Sequence, residues 1–133
     1  MKKKWILILS IGALVVLGAV LLLTHDFGAK PFADLKAEDL ASAQVEYYNW
    51  TKEVKDKDEL VRLLQEIRIY REHRNWQNLS GAPTVVKLTY QDGHTAILRN
   101  LNTIFVIDDV GYKTQYRPAY ELSEYIYDLL DIG

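Results

Sequence analysis

"TVVKLTYQDGHTAILRNLNTIFVIDDVGYKTQY" (residues 84–116) decides the fold. From Thr84 to Tyr90 apolar and polar side chains alternate, so Val86, Leu88 and Tyr90 share one face of a strand. "QDG" (91–93) is a hairpin signal, with Gly93 free to take a positive φ. "HTAILRN" (94–100) then pairs back, and "TIFVIDD" (103–109) reads as a further strand. A turn over Asp109, Val110 and Gly111 leads into "GYKTQYR" (111–117), where Tyr112, Thr114 and Tyr116 alternate with Lys113, Gln115 and Arg117. Consecutive strands joined by tight turns make an antiparallel sheet, because parallel strands need long crossovers.

Outward from this stretch the pattern changes. On the C-terminal side, Pro118 suits the start of a helix, and "AYELSEYIYDLL" (119–130) places Leu122, Tyr125, Ile126 and Leu129 at helical spacing. On the N-terminal side, "ASAQVEYYNW" (41–50) alternates around Val45 and Tyr47 and reads as a strand. "DKDELVRLLQEI" (56–67) reads as a helix with an apolar stripe of Leu60, Leu63, Leu64 and Ile67. Asp56 is placed to cap it, and Glu59 stands three residues on, in capping-box spacing. "RIYREHRNW" (68–76) returns as a strand with Ile69 inward, and "NLSGAP" (78–83) is a loop.

These readings predict an α+β two-layer domain over residues 41–133. Its antiparallel sheet has about five strands and two helices, in the order β-α-β-β-β-β-α with room for one extra strand. Residues 25–40 read as a stalk interrupted by Gly28 and Pro31, from which Phe32, Leu35 and Leu40 can dock on the domain.

The first 24 residues are of another kind. Lys2, Lys3 and Lys4 precede an uncharged run from Trp5 to Thr24. Twenty helical residues span about 30 Å, the thickness of a bilayer core. The flanking lysines place the N-terminus in the cytoplasm and the domain outside, with Trp5 at the interface. The run is expected to be an uncleaved single-pass anchor. The alternative is a cleaved signal peptide and a secreted domain. Such a peptide has an apolar core of about 7–15 residues and an A-x-A-like site. Here only Ala29, after Gly28, offers a small residue at that point.

Composition narrows the chemistry. The formal net charge is −2, and without the three leading lysines 13 basic residues face 18 acidic ones, a net of −5. So acidic a domain is a poor partner for nucleic acid, which is held by phosphate neutralisation. The chain has no cysteine. Disulfides, thiol catalysis, iron–sulfur ligation and a lipoprotein anchor are thereby excluded. His25, His73 and His94 form no pair at helical ligand spacing, and no cofactor is implied. Asp92, Asp108 and Asp109 could share a cation only if their two turns met, and turn formation is their simpler role. Ser80 stands in no nucleophile elbow, and no phosphate-binding glycine loop is present.

"PFADLKAEDLASAQVEY" (31–47), "VKDKDELVRLLQEIRIY" (54–70) and "LTYQDGHTAILRNLNTIFVIDDVGYKTQY" (88–116) together resemble a family of small extracytoplasmic domains of Gram-positive bacteria whose function is uncharacterised. Members typically follow an N-terminal anchor or signal. The resemblance covers residues 31–130, and it implies location and fold class but no activity. Family members often carry a glycine at the position of Asp109.

The unusual remaining feature is a basic and aromatic cluster, "RIYREHRNWQN" (68–78), in an otherwise acidic domain. Arg71, His73, Arg74 and Trp76 are its candidate binding residues, since Arg and Trp are frequent anchors at interfaces. The competing role is an edge strand guarded by charge. Tyr47, Tyr90, Tyr112 and Tyr125 fall on inward faces, while Tyr48, Trp50 and Tyr127 are the candidates for exposed aromatics. The expected function is a membrane-tethered, non-catalytic module binding an envelope protein or cell-wall component. The alternatives are an envelope-acting hydrolase and an accessory subunit of a membrane complex.

Overall fold

The computed structural model describes residues 27–132. The expected anchor at 5–24 lies outside them, and no helix among the described residues is long and apolar enough to cross a membrane. The strands are β1 (Leu40–Tyr47), β2 (Trp50–Glu53), β3 (Ile69–Glu72), β4 (Thr84–Tyr90), β5 (Thr95–Asn100), β6 (Ile104–Ile107) and β7 (Val110–Thr114). The helices are α1 (Lys57–Gln65) and α2 (Tyr116–Leu129). All seven strands form one antiparallel sheet in the order β2-β1-β4-β5-β6-β7-β3.

This corrects the expected fold class. The architecture is mostly β, with seven strands in place of about five, and the chain order is β-β-α-β-β-β-β-β-α. Part of the discrepancy is β2, an edge strand whose four residues are all exposed. Alternating hydrophobicity records burial of one face, so a strand that buries neither leaves no such mark. The other part is the meander after β4. There Asp108 and Asp109 both take positive φ (47° and 73°) as the two central residues of the β6–β7 turn, one residue earlier than expected. β7, for which the expected order left only the extra place, is a full five-residue member of the sheet.

Register explains the core. Val45, Val86, Leu98 and Ile107 lie opposite one another across β1, β4, β5 and β6. They share a face with Ala43, Leu88 and Phe105. Leu60, Leu63 and Leu64 of α1 and Ala119, Leu122 and Ile126 of α2 close over that face, together with Phe32 and Leu35 from the preceding segment. Asp56 caps α1 by accepting from the Asp58 amide at 3.2 Å. Glu59 does not complete a capping box. Arg62 donates to both of its oxygens, at 3.0 and 2.6 Å, and holds its carboxyl below the ordinary range.

Two connections cross the sheet, on opposite faces. The chain leaves β2 at one edge, passes through α1 over the core face, and enters β3 at the other edge. It then returns from β3 to β4 by residues 73–83, over the opposite face. The marker of that path is Trp76, whose indole lies on Gly111 so closely that a Cβ there would come within 2.6 Å of its ring. α2 runs across the strand ends. Asn100 Nδ2 donates to the Ala119 carbonyl at 2.6 Å, Ser123 meets Thr84, and Tyr127 packs edge-to-face on Tyr47.

Candidate functional site

The four residues of the sequence cluster have different surroundings. Arg71 lies exposed on β3 and Arg74 exposed in the turn beyond it. His73 is half-buried, and its backbone amide donates to the Gly111 carbonyl at 2.8 Å. Trp76 is turned inward, its Nε1 donating to the Asp109 carbonyl at 3.2 Å. The residue chosen as an interface anchor is thus a clasp between the crossover and the β6–β7 hairpin. No spacing rule reveals this, because its partner lies 33 residues away.

The acidic turns are likewise occupied by the fold. Asp92 accepts from the His94 amide and ring, which lower its pKa, the amide most. Asp108 accepts from the Ile97 amide at 2.8 Å, and Asp109 pairs with Arg99 at 3.2 Å. Among the described residues no group of three His, Asp or Glu side chains is placed to hold a metal ion.

What the sequence reading passed over is the free side of the sheet. The crossover covers the β7 end of the face opposite the helices, and leaves the β1, β4 and β5 portion uncovered. There a shallow depression of about 240 Å³ is lined by Ser42, Gln44, Lys87, Thr89, Thr95 and Ile97 among others. Its polar side chains are hydroxyls, an amide and one ammonium, with neither carboxylate nor imidazole in the lining. Such groups donate and accept hydrogen bonds but form no acid–base pair. A second depression of about 280 Å³ lies between β2 and the helices, where Tyr125 and Leu129 form its apolar floor. Burial, with Asp56 and Glu59 adding to it, pushes the Tyr125 hydroxyl up to about 12, so this group stays protonated.

The two sheet edges differ. At β3 the backbone of Ala29 exchanges both hydrogen bonds with Ile69, at 2.8 Å each, and covers the start of that edge. At β2 the pairing to β1 runs through Trp50 and Lys52, and the Val54 amide donates to Ala43 at 2.8 Å. Alternation then directs the backbone amides and carbonyls of Thr51 and Glu53 outward. This edge adjoins the uncovered face, because Thr51 lies opposite Glu46 and Glu53 opposite Gln44. No family model, no curated protein and no solved structure matches the chain.

Proposed function

We propose that the protein is a membrane-tethered extracytoplasmic binding module, which takes an extended segment of an envelope protein along β2. The apolar run at 5–24 is its single-pass anchor, with the N-terminus cytoplasmic, in keeping with the resemblance to anchored extracytoplasmic domains. The observation that carries the binding reading is the asymmetry of the edges. One is bridged at Ile69 by the chain's own Ala29, while the other offers Thr51 and Glu53 outward beside a polar, shallow face. Strand addition uses backbone hydrogen bonds for affinity and side-chain depressions for selection. The depression at Ser42, Gln44 and Lys87 lies inward of β2 on the same face, so the edge backbone by itself supports the reading.

The test is site-specific photocrosslinking in intact cells. A crosslinker at Thr51 should capture a protein, and the adduct should be lost in Glu53→Pro. That change removes an outward donor and leaves the β1 ladder intact. Capture that survives Glu53→Pro, in protein of unchanged circular dichroism, would overturn the edge as the binding surface.

A further inference from the structure

The strand ends divide the domain into two unlike poles. One holds the strand ends at Tyr47, Thr84, Asn100, Ile104, Thr114 and Ile69, with the β3 and β7 ends reaching furthest out. The other carries the β4–β5 and β6–β7 turns. β4 has seven residues, which puts the poles about 20 Å apart.

Exposed apolar groups concentrate at the first pole. Among the described residues seven large apolar side chains are exposed, and five of them are here: Phe27 at 58%, Tyr48 at 64%, Trp50 at 53%, Tyr116 at 56% and Tyr120 at 42%. Tyr116 and Tyr120 stack at 5.6 Å on one flank of α2. Tyr127, on the same stripe of that helix, continues through Tyr47 at 5.1 Å to Tyr48 at 4.6 Å. The tyrosines thus form two contacting groups at this pole, one on α2 and one where α2 meets the β1–β2 turn. Carboxylates stand at both poles, Glu38, Asp39, Asp92, Asp108 and Asp109 at the far one and Glu121, Glu124 and Asp128 on α2, so the aromatics and not the charge distinguish them.

The chain enters at the aromatic pole. Ala29 is bridged to Ile69, and Arg68 donates to the Phe27 carbonyl at 3.0 Å, so Phe27 is fixed at that level. Only His25 and Asp26 separate it from the end of the uncharged run at Thr24. Three Cα steps reach at most about 11 Å. A domain tethered so closely cannot turn its entry pole away from the bilayer.

We propose that the aromatic pole rests on the outer surface of the anchoring membrane. The exposed aromatics enter the headgroup region, and the β4–β5 and β6–β7 turns point away. Tyr and Trp favour that interface because an apolar ring and a polar tip are satisfied together. Seated so, the domain holds β2 and the uncovered face upright, open to a partner alongside. This inference rests on the tethering reading above.

The test uses the full chain in phosphatidylcholine vesicles. With no native cysteine, a single nitroxide can be placed by Asn49→Cys at the aromatic pole or Thr95→Cys at the other. The ratio of oxygen to nickel-complex accessibility should be several-fold higher at position 49 than at 95, and should persist at high salt. Trp50→Ser with Tyr120→Ser should bring the two ratios together without releasing the protein into alkaline carbonate. Equal, aqueous ratios in carbonate-resistant protein would overturn the seating and leave the tether standing. Dipolar broadening between labels at position 49 would overturn it in favour of a second copy. Extraction by carbonate would overturn the tether, and the seating with it.

Discussion

Asp109 holds a φ of 73° in a turn whose two central residues are both left-handed. An L side chain there costs about 1–2 kcal/mol, and glycine gives back part of that as chain entropy, about 0.5–1 kcal/mol. Asp109→Gly should therefore stabilise the domain by roughly 0.5–1 kcal/mol. The lost pair with Arg99 is solvent-exposed and offsets little. Denaturant unfolding in detergent would measure it, and a lowered midpoint would refute the strain. Asn100 is the opposite case, a buried amide whose bonds are all internal. It donates to Ala119 and Ser123, and its oxygen accepts from the Asn102 amide at 3.0 Å. Asn100→Ala should destabilise by about 2–3 kcal/mol, since partners are left unsatisfied in the core. Both positions show what sequence conveys at this scale. The positive φ of Gly93, 94°, follows from a glycine in a tight turn, whereas the role of Asn100 exists only once α2 has crossed the strand ends.

Elements were legible in proportion to the apolar face they bury. The stripe Leu60, Leu63, Leu64 marks α1, and Leu122 with Ile126 marks α2, because each helix covers the core with one side. β2 buries neither side, and nothing in "WTKE" separates it from a loop. The depression at Ser42, Gln44 and Lys87 was hidden differently. Each residue is an ordinary outward position of its strand, and only register brings the three together. The crossover offers a test at this level. Gly111→Ala would drive a Cβ into Trp76 and should cost about 1–3 kcal/mol. In a Trp5→Phe, Trp50→Phe background the emission of Trp76 should shift to the red. An unshifted spectrum would mean that the indole does not clasp the hairpin.

At the scale of the whole molecule, tyrosines titrate late. Burial first, then neighbouring carboxylates, raises Tyr125 to about 12 and Tyr90 in the same direction. A phenol raised in the folded state favours folding fully below its unfolded pKa, near 10, and that contribution is lost as pH rises toward the folded value. Stability should thus be level up to about pH 10 and fall between about 10 and 12. Phenolate absorbance followed alongside circular dichroism would check it. Late-titrating tyrosines that ionise near 10 without unfolding would contradict the burial. Strand order carries one last consequence, for the way the chain is made. β1 has β4 as its inner neighbour and β3 has β7, so the leading half holds no completed sheet of its own. A polypeptide emerging amino end first, from ribosome or translocon, must wait for residues 84–114 before either half can close. Truncation anywhere before β7 should therefore yield no smaller folded unit, only chain open to proteases.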